Sequence, residues 1–448
     1  MLETQDTIAA IATPPGRGGI SVLRISGARA AGIAVALSGA LPEPRRVSLR
    51  RFLDADGECI DEGLLVYFPA PGSFTGEAVV ELHGHGGVVV ADLLLARVIA
   101  LGARQARPGE FSQRAFANGR LDLTQAEAIA DLIDSGSAAA ARAAARSLSG
   151  EFSDRVGGLV EAVTTLRIFV EAALDFPDEE IDFLADEQLQ RLVSDLRARF
   201  TKLRAAAAQG AILRDGMTVV LAGRPNAGKS SLMNRLTGED TAIVTHLPGT
   251  TRDVLRQEIE IDGLPVHVID TAGLRGDADL VEEEGIRRAR RAMAEADRVL
   301  LVEDATGDDT GLAESETLPA GVPVTVIRNK IDLTGESAGV ARGGDRTTVS
   351  LSALTGEGID LLRRHLEEGV GYRPEAAGAL SARRRHLDAL DQARGHVETG
   401  VGHLESGLGG ELLAEELRLA QQALGEITGA VSSDDLLGRI FASFCIGK

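Results

Sequence analysis

Hydrophobic residues recur along this chain with changing periods. From Met1 to about Arg120, short β-like runs (Ile20 to Ile25, Gly63 to Phe68, Val79 to Leu82) are separated by glycine-rich turns, and one apolar stretch near Ala91 to Ala100 has the length of a helix. This pattern predicts an α+β unit. After Asp122 the text becomes alanine-, leucine- and charge-rich with helical spacing and almost no β-branched clusters, breaks at Phe176-Pro177-Asp178, and resumes from about Asp186 to Gln209. Between about Met217 and Tyr372, strand-like runs alternate with helical ones, and an Asp262-Gly263 turn marks a hairpin. That alternation predicts a mostly parallel sheet with one antiparallel strand. Helical text returns from Ala382 to Leu424.

The helices on either side of the α/β segment share one style, so it reads as an insertion. The expected organisation is an N-terminal domain over 1–120, a helical domain in two parts over 121–214 and 374–448, and an inserted P-loop domain over 215–373. A length of 448 residues fits several cores rather than one.

Composition narrows the function classes. No run approaches the ~20 apolar residues of a membrane span, and the first residues lack a signal peptide's basic and apolar regions, so a cytoplasmic location is expected. Two cysteines, Cys59 and Cys445, make no disulfide framework, and each reads most simply as a small buried residue. A net charge of −20 excludes broad electrostatic attraction to nucleic acid, so any RNA contact is local or comes from a partner.

The segment from Gly223 to Ser230 has the spacing G-x-x-x-x-G-K-S, follows a β-like run and precedes helical text that begins at Ser231. In such a loop the backbone amides, including those of Asn226, Ala227 and Gly228, converge on phosphates. Lys229 reaches the β and γ oxygens, and the Ser230 hydroxyl can hold Mg²⁺. Asp270-Thr271-Ala272-Gly273 ends the next predicted strand, where a carboxylate can act on Mg²⁺ through water and an amide can meet the γ-phosphate. Asn329-Lys330-Ile331-Asp332 ends another, and the Asp332 carboxylate can accept from guanine N1–H and its amino group, which selects GTP over ATP. Ser352-Ala353-Leu354 can complete the base pocket with backbone amides.

The position after Gly273, where many GTPases carry a water-orienting glutamine, is Leu274, so another device must serve hydrolysis. Asn226 either shapes the loop or helps cage a monovalent cation beside the phosphates. Arg252 is either an arginine finger or an interface residue. Glu282-Glu283-Glu284 is either a solvated helix start or the source of a catalytic carboxylate. His83 and His85 either share a metal or shape a loop. Arg383 to His386 reads as a solvated helix start or an RNA or partner contact.

Taken with the blocks Ala12 to Gly27, Ser73 to Gly87, Ala106 to Ile133, Asp175 to Phe183 and the ending DDLLGRIFASFCIGK, these motifs resemble the MnmE (TrmE) family of tRNA uridine-modifying GTPases over essentially the whole chain. The resemblance implies a tetrahydrofolate-binding-like N-terminal domain that dimerises and a Ras-like GTPase domain inserted into a helical one. It places K⁺ on Asn226, Thr245, Leu247 and Thr250, and Mg²⁺ on Ser230 and Thr251. His246, Pro248 and Gly249 belong to the same nucleotide-binding segment, and Glu282 helps to orient water. It places 5-formyltetrahydrofolate or a related folate on Arg24, Glu81, Arg120 and Lys448, with Arg120 standing where many relatives carry lysine, and it brings Cys445 towards the folate side as a packing residue or a reactive thiol. It further implies a heterotetramer with a flavoprotein of the MnmG (GidA) type, acting on the wobble uridine of tRNA. A GTP-dependent switch or assembly factor without covalent chemistry is the alternative, and it has no use for a folate pocket.

Overall fold

The alternation in the first hundred residues is that of strands buried on one face. The computed structural model describes residues 6–175, 187–238, 256–270, 279–307, 318–319, 321–343, 346–374, 378–406, 409–430, 434–442, 444, 445 and 447. The chain divides into two units, Met1–Ala130 with Gln421–Lys448, and Asp131–Ala420.

In the first unit, β1 (Ile8–Ile11), β2 (Ile20–Ser26), α1 (Ala30–Ser38), β3 (Ser48–Leu53), β4 (Cys59–Phe68), β5 (Val79–His85), α2 (Val88–Ala100), β6 (Arg104–Gln105) and α3 (Glu110–Ala117) follow one another. The sheet order is β3-β4-β5-β2-β1-β6. Leu23, Ile25, Val80, Leu82, Leu65 and Phe52 turn inwards to a core shared with Ile33, Leu37, Leu94 and Val98 of α1 and α2. The intervening residues Ile20, Arg24, Glu81, His83 and Leu64 lie on the opposite face, where Ile20, Leu49 and Leu64 are exposed.

A polar cluster ties the loop before β5 to α3. Arg114, only 2% exposed, donates to Glu77, to Glu110 (3.1 Å) and to the Asp6 carboxylate (2.7 Å). Beyond the start of α4 (Leu123–Ile133), which stays in this unit as far as Ala130, Ile440, Phe441 and Phe444 from the C-terminal stretch pack with Leu123 and Ala126.

The second unit continues with α5 (Ala138–Leu148), α6 (Glu151–Asp175), α7 (Glu187–Asp215), β7 (Met217–Ala222), α8 (Lys229–Gly238), β8 (Arg256–Ile261), β9 (Leu264–Asp270), α9 (Asp279–Glu295), β10 (Arg298–Asp304), β11 (Val324–Asn329), α10 (Ile331–Thr334), β12 (Gly339–Gly343), β13 (Arg346–Ser350), α11 (Ile359–Val370) and α12 (Arg384–Glu405). After these come α13 (Gly410–Thr428) and α14 (Asp434–Ala442). The sheet order is β12-β13-β11-β10-β7-β9-β8. The five inner strands are parallel, as the βα alternation predicts, but both edges are antiparallel. The second antiparallel edge, β12, corrects the expectation of one. Its GVARG text has no apolar alternation because most of it faces water.

Two features fasten the nucleotide-fold segment to the helices. At the β8–β9 hairpin, Asp262 and Gly263 both have positive φ (48° and 92°), as a two-residue primed turn demands. Ser137, the N-cap of α5, donates its hydroxyl to the Gly263 carbonyl at 2.7 Å, and the Tyr372 hydroxyl donates to the Asp262 carbonyl at 3.1 Å. On α7, a Cβ at Gly210 would lie 1.6 Å from the Leu380 carbonyl oxygen, so only glycine lets the returning chain cross the helix so closely.

Beside the hairpin, Glu367 is buried, and burial together with the Asp262 carboxyl pushes it from 4.5 to about 7. The folded state therefore holds a proton that the unfolded chain releases above 4.5, so this group's contribution to stability falls as pH rises from 4.5 to about 7. Glu367→Gln, which keeps the shape without the charge, is expected to raise stability at pH 8 by on the order of 1 kcal/mol and to change it little at pH 5. Thermal unfolding at the two pH values checks this, and an equal shift at both would contradict it.

Candidate functional site

The parallel strands end together at one edge of the sheet, and the loops leaving that edge carry the nucleotide motifs. After β7 the chain curls through Gly223 to Gly228 and enters α8 at Lys229. The buried Lys229 ammonium donates to the carbonyls of Gly223 (2.7 Å) and Arg224 (2.9 Å), so the loop wraps the cation that would meet phosphate oxygens. Asn226 has φ of 65°, a conformation that asparagine tolerates better than most residues, and is exposed on the loop. Ala227 is buried, whereas Ser230 and Ser231 are exposed on the first turn of α8. Asp270 is the last residue of β9, paired in register with Leu221 of β7. This strand-end position is where a carboxylate can serve Mg²⁺ held by Ser230.

The base side is organised by Asn329, which is buried. Its Nδ2 donates to the Ala227 carbonyl and its Oδ1 accepts from the Ala353 amide, both at 2.9 Å. One side chain thus buckles the phosphate loop to the loop after β13. Lys330 takes φ of 67° and donates Nζ to Asp304 at 2.6 Å. That bond, with those from Thr306, holds the Asp304 carboxyl at about 2, so this carboxylate stays charged throughout the neutral range. Asp332 follows in the first turn of α10 and is exposed, as an acceptor for guanine needs to be. In the next loop the Ser352 amide donates to Glu357 and the Ala353 amide to Asn329, which leaves the amide of Leu354, at the exposed tip, for a base. Arg235 of α8 braces this tip by donating to the carbonyls of Ala353 (3.2 Å) and Leu354.

A second set of predicted residues lies in the first unit. Arg24 of β2 and Glu81 of β5 are register partners and form an ion pair at 2.9 Å, with His83 3.3 Å from the other carboxylate oxygen. The Arg24 guanidinium stands 5.4 Å from the Phe74 ring centre and 5.8 Å from that of Phe111. Phe74 belongs to the loop whose Gly76 approaches the Arg120 side chain, so this loop has Arg24 on one flank and Arg120 on the other. The set fits a pterin in chemical type: a partly exposed carboxylate with lone pairs to spare, a cation, and apolar rings.

Comparison with known proteins bears on both sets. Residues 7–120 match the family model described as the GTP-binding protein TrmE N-terminus, and residues 123–445 match the MnmE helical domain. The chain belongs to the MnmE family. It is similar to the tRNA modification GTPase MnmE of Alkalilimnicola ehrlichii, at 60% identity over 99% of both chains. The proteins of the same name from Stutzerimonas stutzeri and Yersinia pseudotuberculosis are 59% and 57% identical over the full length of both chains. Membership makes the nucleotide site described above that of a GTP hydrolase.

Several residues expected at the site of this MnmE-family chain lie outside the described ones: Thr245, His246, Leu247, Pro248, Gly249, Thr250, Thr251, Arg252, Thr271, Ala272, Gly273 and Lys448. Glu282, Glu283 and Glu284 fall within α9, and their side chains are likewise not described.

Other expectations are corrected. Cys59 and Cys445 are exposed rather than buried, because Cys59 starts strand β4 at the solvent face and Cys445 follows the buried Phe444 in the tail. His83 and His85 stand on a regular strand, not in a loop, and each faces its own carboxylate, His83 with Glu81 and His85 with Asp61 at 2.7 Å. Among the described residues, no group of three potential ligands forms a metal site. Arg383 to His386 does start a helix, but it is not solvated throughout: Arg383 pairs with Asp131 at 3.0 Å, and His386 is buried edge-on to Phe152.

Sequence reasoning missed Asp304 and Arg235, which touch the motifs without belonging to them. The acidic end of the strand run RVLLVED was the available signal for Asp304. No helix among the described residues is long and apolar enough to cross a membrane.

Proposed function

We propose that this protein is a K⁺-stimulated GTPase of tRNA modification. In this reading it works with a flavin- and NADH-dependent partner of the MnmG type to add an aminomethyl or carboxymethylaminomethyl group to C5 of the wobble uridine. Tetrahydrofolate supplies the one-carbon unit.

The observation that carries the GTPase half is the pairing of Leu274, which cannot orient water, with an exposed Asn226 held at φ of 65° inside the phosphate loop. There its carboxamide oxygen has no hydrogen bond among the described residues and can coordinate, with Thr245, Leu247 and Thr250 as further ligands by resemblance. Bound K⁺ supplies positive charge beside the β and γ phosphates as charge develops there. Ser230 and Thr251 hold Mg²⁺, Lys229 neutralises the phosphate oxygens, and Glu282 orients the attacking water.

In the N-terminal unit, Glu81 accepts from the amino and ring N–H groups of the pterin, while Arg24, Arg120 and Lys448 meet its carbonyl or glutamate tail. The exposed Ile20, Leu49 and Leu64, on the same face of the sheet as Arg24 and Glu81, support self-association of this unit as a homodimer.

Exchanging K⁺ for Na⁺ is expected to slow GTP hydrolysis at least about tenfold, near 1.4 kcal/mol of barrier. Asn226→Ala is expected to reproduce most of that loss in K⁺. Equal rates in the two salts would refute the cation role. Saturable binding of 5-formyltetrahydrofolate, lost in Arg24→Ala, tests the folate half independently.

A further inference from the structure

Outside both sites, a group of cations surrounds the connector between α11 and α12. A cavity of about 160 Å³ opens there between α5, α7 and the connector, lined by Arg142, Arg146, Gln209, Tyr372 and Arg373 among others. The cavity has a braced frame. Gln209 donates to the Gly371 carbonyl at 2.8 Å and accepts from the Arg373 amide at 2.9 Å, and Arg146 donates Nε to the Ala379 carbonyl at 3.0 Å.

A second concavity of about 290 Å³ between α6 and α7 carries Arg155, Arg199 and Lys202. The two adjoin, because Gly378 lines the first and a Cβ on it would stand 3.6 Å from the Arg155 guanidinium. Arg155 and Arg199 share their charge with Glu151 and Asp195 on their own helices. Arg142, Arg146, Arg373 and Lys202 form no ion pair among the described residues.

Four cations that have no ion-pair partner among the described residues, gathered in adjoining hollows, repel one another, and an anion joining them relieves that repulsion. Arginines in a frame of fixed amides and carbonyls suit phosphate oxygens. A chain carrying −20 overall repels a polyanion except at a local reversal of sign, and the hollows offer one. We infer that this connector cleft is a docking site for the sugar-phosphate backbone of RNA, with Arg142, Arg146 and Arg373 holding one phosphate and Lys202, Arg155 and Arg199 continuing the path. The inference takes RNA as the polyanion from the function proposed above and adds where this chain grips it. Both helical and connector residues line the cleft, so RNA bound there spans the junction at which the nucleotide-fold segment rejoins the helices. Such contacts position RNA without reading its sequence.

The test is binding of an unmodified tRNA transcript to the full-length protein, by fluorescence polarisation across a KCl series. Arg142→Glu combined with Arg373→Glu is expected to weaken binding at least tenfold near 0.1 M salt and to flatten the salt slope by about one, for the one phosphate left without its cations. Its GTP hydrolysis without tRNA should be unchanged, which shows that the variant is folded, and Arg191→Glu at the far end of α7 should leave tRNA binding unaltered. Unchanged affinity and slope in the double variant would overturn the inference. So would stabilisation by inorganic pyrophosphate that the double variant loses while keeping tRNA affinity, since the cavity would then serve a small phosphate. Failure of the wild type to bind tRNA also overturns it, and leaves the K⁺ and folate experiments to judge the proposed function.

Discussion

Gly228→Ala is expected to weaken GTP binding about a hundredfold. Gly228 has φ of 98°, and an added Cβ would stand 2.2 Å from Nδ2 of Asn329, the atom that donates to the Ala227 carbonyl. The left-handed backbone costs an alanine about 1–2 kcal/mol. Displacing Asn329 orphans buried polar atoms at about 1–3 kcal/mol more. A sum near 3 kcal/mol corresponds to about two powers of ten in affinity. Asn329→Ala, which removes the buckle but not the glycine, is expected to lose only about tenfold. Titration with a fluorescent GTP analogue reads both, and a Gly228→Ala protein binding like the wild type would show that the loop has another way to relax.

The second large effect is in the N-terminal unit. Arg114→Met should destabilise it by about 3–5 kcal/mol, because it leaves Glu110, Glu77 and Asp6 facing one another without their shared cation. Burial alone pushes the Glu110 carboxyl up, but Arg104, the Arg107 amide and Arg114 overcome it and hold the group below its ordinary 4.5. Asp6 is lowered in the same way by Arg104 and Arg114 against its burial. Carboxylates with lowered values contribute stability above their ordinary values of 4.5 and 3.8 and lose it as pH falls through the folded ones. In the variant that acid-side decline should shrink or reverse. Urea unfolding at pH 7 and at pH 3 measures it, and a loss under about 1 kcal/mol at pH 7 would mean that Arg104 alone suffices.

Much of the nucleotide-fold segment was legible because each motif sits where a run of apolar residues ends, and a parallel sheet puts all such ends on one side. The strands of the N-terminal unit were legible for a related reason, since a half-buried sheet prints its alternation on the text. What escaped was decided by tertiary partners. GVARG forms β12 by pairing with β13, with no pattern of its own. The packing of Phe441 and Phe444 against Leu123 joins residues some three hundred positions apart, which helical periodicity cannot announce. Arg235 looks like any surface arginine until the loop after β13 folds over it. Nor could spacing say that the Asn329 side chain joins two loops.

The hairpin pinned at Asp262 and Gly263 has a mechanical consequence. Its tip is clamped by Ser137 and Tyr372, while Asp270 at its opposite end borders the phosphate loop. A strand pair of this kind is stiff along its length, and β9 is also bonded along it to β7. The phosphate loop and the head of α5 are therefore joined through one rigid element, the hairpin with the strand beside it.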